Sequence, residues 1–292
     1  MNTKAQDAFM ELDYPYPMDK KEVVKNINIA YADIGKGEPI LFIHGMGSYA
    51  PAWKKNISEL KENFRCVVVD LPGYGKSSKG KFKANMSFHK EHLFALMDSL
   101  DIKKFHIAGH SMGAQIAMHM ALDNPGRIKS LILSAPAGIE TFSEQQKAMF
   151  RAITPEQTAS VSDEQYRINL EANFHEMPDD AEFMYEDRMM IKESPDFMNY
   201  CYTITEGIRG MVNEPVFEKL GDLKPPVLII YGKQDKLIPN KYLHPEMTTA
   251  DIAKIANKEI PDSQMELIEN AGHFVHFEQP EKTNELIKNF IN

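Results

Sequence analysis

Short apolar segments alternate along most of the chain with longer segments of helical periodicity. After an early strand or hairpin at 23–34, the apolar segments predict buried strands at 40–43, 66–70, 105–108, 128–134, 226–231 and 265–268. Helical periodicity predicts helices at 51–63, 86–100, 114–122 and 281–290. Because right-handed crossovers place helices on both faces of such a sheet, the pattern predicts an α/β fold with a mostly parallel, doubly wound sheet.

The alternation stops between residues 139 and 222, where the pattern predicts several helices and no buried strand. We therefore divide the chain into a core, 1–138 with 223–292, and an inserted helical lid, 139–222. The insertion joins two core strands at the sheet edge where open α/β sheets bind ligands. Its many methionines and aromatic residues can line an apolar pocket; the alternative is that they only fill the space between the lid helices.

Composition mainly excludes classes of function. The 292 residues are 43% hydrophobic and 26% charged, which is typical of a folded globular protein. With 33 basic and 42 acidic residues the net charge is −9, so we expect no nucleic-acid partner. Cys66 and Cys201 lack metal-ligand spacing, and no disulfide is expected. Without a long apolar run or an apolar N-terminal segment, the chain is predicted to be cytoplasmic, with no membrane partner.

The segment 109–113, Gly-His-Ser-Met-Gly, joins a predicted strand to a predicted helix. In that context a G-x-S-x-G pattern forms a sharp turn that exposes the serine hydroxyl above the sheet. We therefore predict that Ser111 is a nucleophile. The alternative is a glycine-rich turn with an idle serine.

A serine nucleophile needs a base and a carboxylate that orients the base. Asp235 follows the predicted strand at 226–231, and His273 follows the one at 265–268. Either residue alone also fits a solvated loop acid or a structural histidine. Their joint placement after successive strands predicts that Ser111, Asp235 and His273 form a catalytic triad.

The oxyanion of a tetrahedral intermediate needs backbone amide donors. The segment 44–47, His-Gly-Met-Gly, follows the strand at 40–43 and can supply the amide of Met46, while the amide of Met112 follows the nucleophile. We predict that these amides form an oxyanion hole and that both methionine side chains face the pocket. The alternative for 44–47 is a flexible turn.

Five segments together resemble the α/β-hydrolase fold superfamily, in its serine esterase and lipase-like branch or its carbon–carbon bond hydrolase branch. They are HGMG (44–47), DLPGYGKS (70–77), GHSMG (109–113), GKQDKLIP (232–239) and NAGHF (270–274). The resemblance extends from about residue 29 to residue 290. It implies the triad and oxyanion amides named above, no cofactor, and a loop-ordering role for Asp70.

Three functions stay open. A serine at the elbow favours acyl transfer, and we predict a serine hydrolase that cleaves a small to medium, apolar carboxylic ester through an acyl-enzyme. The alternatives are hydrolysis of a carbon–carbon bond beside a ketone, and a ligand receptor on this fold with little turnover. The close histidine pairs lack an H-E-x-x-H pattern or cysteine ligands, so no metal site is predicted. The expected partner is a small-molecule substrate; the sequence predicts no oligomeric state.

Overall fold

An eight-stranded sheet forms the centre of the molecule. The structure, a computed structural model, describes residues 7–292. The strands are β1 (Asp19–Val24), β2 (Ile27–Ile34), β3 (Glu38–Ile43), β4 (Phe64–Val69), β5 (Phe105–His110), β6 (Ile128–Ser134), β7 (Val227–Gly232) and β8 (Ser263–Ile268). Their order in the sheet is β1-β2-β4-β3-β5-β6-β7-β8. Strand β2 pairs antiparallel with β1 and β4, and the other neighbours are parallel, which confirms the predicted mostly parallel α/β sheet.

Helices cover the sheet and fill the insertion. Within residues 7–292 they are α1 (Ala8–Glu11), α2 (Lys54–Leu60), α3 (Met86–Ser99), α4 (Met112–Asp123), α5 (Glu144–Arg151), α6 (Pro155–Ala159), α7 (Asp163–Glu171), α8 (Phe183–Lys192), α9 (Phe197–Asn213), α10 (Thr249–Glu259), α11 (Val275–Glu278) and α12 (Pro280–Ile291). Among these helices, none combines the length and the apolar composition that a bilayer-spanning segment needs.

Side chains of the parallel strands enter two separate cores. In β3, Leu41 and Ile43 belong to the apolar core that contains α3, α4 and α10. Ile40 and Phe42 belong to the other core, which contains α2 and α12. The split follows from the two-residue period of a strand, and both faces of the sheet are therefore buried beneath helices. The sheet is doubly wound, as predicted.

Helices α5–α9 lie in residues 139–222, and that part of the described chain contains no strand. A third buried cluster joins Leu170 and Phe174 of this insertion to Phe274 and Phe277, which follow β8. The insertion is therefore packed against the loop that carries His273. Its role as a lid stays a prediction.

Two helices differ from the predicted elements. The helix predicted at 51–63 begins as a 3₁₀ turn at Ala50–Trp53, with Pro51 in its first turn, and continues as α2 to Leu60. Helix α10 was not predicted. It begins with a capping box in which Thr248 accepts from the amide of Asp251, and it buries Ile252, Ala253 and Ala256.

Candidate active site

Ser111 lies at the turn between β5 and α4. Its backbone has φ 52° and ψ −116°, a conformation that is rare for a residue with a side chain. A Cβ atom on Gly109 would come within 2.6 Å of the carbonyl oxygen of Gly113, and one on Gly113 within 2.5 Å of the carbonyl oxygen of Ile43. Both positions therefore require glycine. This is the strained strand-to-helix turn that the G-x-S-x-G pattern predicts.

His273 and Asp235 form a buried hydrogen-bonded pair after β8 and β7. Nδ1 of His273 lies 2.8 Å from Oδ2 of Asp235, and the two side chains are 5% and 0% exposed. The other carboxylate oxygen accepts from the amides of Leu237 (2.8 Å) and Ile238 (3.1 Å). Because the carboxylate is an acceptor, the neutral histidine carries its proton on Nδ1, and Nε2 is left free to accept a proton.

Two cavities of about 440 Å³ each are lined by both Ser111 and His273. The first, which we call the arginine cavity, is walled mainly by the insertion and includes Tyr49, Tyr166, Met184, Arg188 and Tyr200. The second, the phenylalanine cavity, includes Glu140, Phe142, Phe150, Ile208, Met211 and Phe217. The predicted nucleophile and base thus have access to two spaces, and most wall residues of both come from 139–222.

The amides of Met46 and Met112 lie on the two loops predicted for the oxyanion hole. Neither donates a hydrogen bond to another group in the described chain, so both are free for a ligand. The side chain of Met46 lines both cavities, but that of Met112 is fully buried beside Gly207 of α9. The prediction that both side chains face the pocket is therefore wrong for Met112, because the first residue of α4 packs into the core.

A family model described as the alpha/beta hydrolase fold matches residues 38–280. The chain belongs to the α/β-hydrolase fold family. Over 277 residues it is 25% identical to 2-hydroxy-6-oxononadienedioate/2-hydroxy-6-oxononatrienedioate hydrolase 2 of Pseudomonas putida, covering 91% of this chain and 92% of that protein. Over 271 residues it is 27% identical to a monoacylglycerol lipase of Bos taurus, covering 88% and 76%. The crystal structure of a probable hydrolytic enzyme from Pseudomonas aeruginosa PAO1 shows the same fold, with a TM-score of 0.85 and 21% sequence identity over 96% of both chains.

His44 of this α/β-hydrolase, for which the sequence pattern predicts no role, holds the peptide unit that contains the Met46 amide. Its Nε2 accepts from the amide of Leu71 at 3.0 Å, which places the ring proton on Nδ1. Nδ1 donates to the carbonyl oxygen of Gly45 at 2.7 Å. That carbonyl and the Met46 amide belong to one trans peptide and point in opposite directions, so the bond fixes where the amide points. Burial lowers the pKa of His44 and keeps the ring neutral.

His110, the residue before the nucleophile, also had no predicted role. Its Nε2 donates to the backbone carbonyl of His273 at 3.0 Å, and the two rings are 4.8 Å apart. Burial lowers the pKa of His110, so the ring stays neutral. The nucleophile turn and the loop that carries His273 are thereby held to each other. The signal was the histidine inside the G-x-S-x-G pattern, but its partner is distant in sequence.

Asp70 makes the bonds expected of a loop-ordering residue. Its carboxylate accepts from the hydroxyl of Tyr14 (2.7 Å), the amide of Ala50 (2.8 Å) and the amide of Lys76 (2.7 Å). It lines neither cavity. Three chain segments therefore meet at one buried carboxylate away from Ser111.

Arg188 brings a positive charge into the arginine cavity. Nη2 donates to the carbonyl oxygen of Gly47 at 2.7 Å, and the guanidinium lies 4.6 Å from the ring centres of Tyr166 and Tyr200. Within residues 7–292 the arginines that form salt bridges are others, and Arg188 has no carboxylate partner. The neighbouring Asp187 accepts from the hydroxyl of Tyr49, and burial raises its pKa. The sequence pattern does not predict this site, since an arginine on a helix is ordinarily solvated.

Proposed function

We propose that this α/β-hydrolase cleaves a small to medium, apolar carboxylic ester through an acyl-enzyme on Ser111. The observation that carries the proposal is the shared cavity wall: Ser111 and His273 line the same spaces, and Nδ1 of His273 is bonded to Asp235. This arrangement leaves Nε2 of His273 as the base. The apolar wall of the phenylalanine cavity supports an apolar substrate group.

In the proposed reaction, Oγ of Ser111 attacks the ester carbonyl carbon while its proton passes to Nε2 of His273. The negative charge that forms on the carbonyl oxygen accepts hydrogen bonds from the amides of Met46 and Met112. Asp235 stabilises the histidine cation. His273 then gives the proton to the leaving alcohol, and a water molecule, deprotonated by His273, releases the acid and restores Ser111.

The test is turnover of p-nitrophenyl esters of increasing acyl length by wild type and Ser111→Ala. The variant should fold normally and lose several decades of kcat, with a residual rate about 10³ above water because the other groups stay in place. Unchanged turnover by Ser111→Ala would end the proposal. Ligand binding by wild type without any turnover would instead support a receptor.

Carbon–carbon bond hydrolysis beside a ketone is the second candidate, and Arg188 is the observation that favours it. A partly buried guanidinium without a carboxylate partner suits a substrate carboxylate. The name of the Pseudomonas putida relative describes a dioate, that is, a dicarboxylate, as its substrate. A dienoic diketone with and without a carboxylate, assayed beside the esters, decides between the two reactions: faster turnover of the carboxylated diketone than of any ester would favour the second.

The cytoplasmic location, the small-molecule substrate and the division into core and lid are part of the same proposal. They rest on the sequence patterns described above and, for the lid, on the wall residues that the insertion contributes.

A further inference from the structure

Glu140 is a partly buried acid in the wall of the phenylalanine cavity. Its side chain is 9% exposed, and it follows β6 at the start of the insertion. The same cavity is lined by Ser111 and His273. Most of the surrounding wall is apolar, including Phe142, Phe150 and Phe217. A carboxyl group in such a place costs stability unless its oxygens are hydrogen-bonded.

Within residues 7–292, only one of the two carboxylate oxygens of Glu140 accepts a hydrogen bond. Oε1 accepts from the amide of Asn240 at 2.8 Å and lies 3.4 Å from Nε2 of His244. Oε2 accepts no hydrogen bond from any group in residues 7–292, and no lysine or arginine there forms a salt bridge with this carboxyl. Two polar neighbours in the wall are engaged elsewhere: Gln115 donates to two backbone carbonyls, and Lys147 donates to Glu144.

The electrostatic surroundings agree with a carboxyl group that lacks a partner. Burial, with a smaller contribution from the nearby Asp235, raises the pKa of Glu140 to about 7, against the opposing effects of the Asn240 amide and of Lys241. Both the neutral and the ionised forms can accept a hydrogen bond at Oε2.

We propose that Glu140 is a specificity-determining residue that accepts a hydrogen bond from a hydroxyl group on the part of the substrate that fills the phenylalanine cavity. This inference rests on the proposed ester hydrolysis at Ser111 and names the substrate class: an otherwise apolar ester with a hydroxyl at one end. A hydroxyl group can donate the hydrogen bond that Oε2 lacks. Its burial in an apolar cavity also costs less desolvation free energy than burial of an ammonium group.

The test compares esters in matched pairs that differ only by a terminal hydroxyl in place of a terminal methyl, in one series on the acyl chain and in another on the alcohol. For each pair the hydroxyl-to-methyl ratio of kcat/KM is measured in wild type, Glu140→Gln and Glu140→Leu. In whichever series places the hydroxyl in the phenylalanine cavity, the hydroxyl-to-methyl ratio should fall about tenfold or more in Glu140→Leu. It should fall by less in Glu140→Gln, because the amide oxygen of glutamine can still accept a hydrogen bond from the hydroxyl. Glu218→Gln changes an exposed acid in the same wall and should leave the ratio unchanged.

Binding of 1-alkanols and matched alkanediols, measured by calorimetry, separates this inference from the proposed reaction because it needs no turnover. Wild type should bind the diol more tightly than the alkanol, and Glu140→Leu should lose that preference. If no ester is cleaved but the diol preference depends on Glu140, the reaction is wrong and the site stands. Equal hydroxyl-to-methyl ratios in wild type and both Glu140 variants, in turnover and in binding, would overturn the inference. A Glu140-dependent preference for a compound with a terminal amino group over the one with a terminal hydroxyl would also overturn it.

Discussion

The core and the insertion contribute to the same two cavities in different ways. In the core, Ser111, Asp235 and His273 follow strands, and buried hydrogen bonds hold the loops that carry them. In the insertion, wall residues such as Met184 and Arg188 lie on a helix and can differ without disturbing the sheet. We infer that the core determines which reaction occurs and that the insertion determines which substrate is chosen.

The largest effect is expected in the core, from Asp235→Asn. An asparagine oxygen can still accept from the amides of Leu237 and Ile238, so the loop should keep its shape. The imidazole loses the carboxylate that fixes its tautomer, and kcat should fall about 10⁴-fold. Thermal unfolding should change little.

The matched control is Asp262→Asn, which removes an exposed carboxylate just before β8 that lines neither cavity. Its turnover should equal that of wild type. An Asp235→Asn enzyme with nearly full turnover would mean that another acid orients His273, and Glu140, the acid that follows β6, would then be examined first.

A smaller effect, confined to substrate choice, is expected from Arg188→Met in the insertion. The ratio of kcat/KM for a substrate with a terminal carboxylate to that for its neutral counterpart should fall about tenfold or more, because the guanidinium is the cation free to bind an anion. Absolute rates can also fall, since Arg188 bonds to Gly47 beside the oxyanion loop. A change at the oxyanion loop should affect both substrates alike, so it cancels in the carboxylate-to-neutral ratio of kcat/KM.

Arg167→Met is the control, because Arg167 already pairs with Glu182 in the same insertion. It should leave the carboxylate-to-neutral ratio unchanged. If Arg188→Met changes kcat/KM equally for both substrates, Arg188 only positions the loop that contains Gly47, and the arginine cavity has no anion site.

The smallest effect separates two adjacent residues at the start of α8. Met184 lines the arginine cavity, whereas Phe183 does not and instead lies beneath the ammonium of Lys54 at 4.0 Å. Met184→Ala should favour longer acyl chains severalfold, because the added space opens to the cavity. Phe183→Ala should lower the melting temperature and leave the acyl-length profile as it is. If both variants lower the melting temperature and neither changes the profile, the insertion only packs against the core and does not shape the acyl pocket.

Sequence patterns predicted the core well because its elements are local. A buried parallel strand is a continuous apolar run, and the residues that follow such strands lie at one sheet edge, which brought Asp235 and His273 together from segments far apart in sequence. The contact of His110 with His273 joins residues 163 positions apart and leaves no periodic sign. Likewise, helical periodicity shows that Phe183 or Met184 is buried but not which of them borders a cavity.

Ser111 is expected to be the one activated serine in the walls of the two cavities. The direct measurement is labelling with a fluorophosphonate probe, followed by peptide mapping of wild type, Ser111→Ala and Ser48→Ala; Ser48 is a serine in the wall of the arginine cavity. We predict that wild type and Ser48→Ala are labelled at Ser111 alone and that Ser111→Ala is not labelled. Labelling of Ser111→Ala at Ser48 or at another serine would contradict the account.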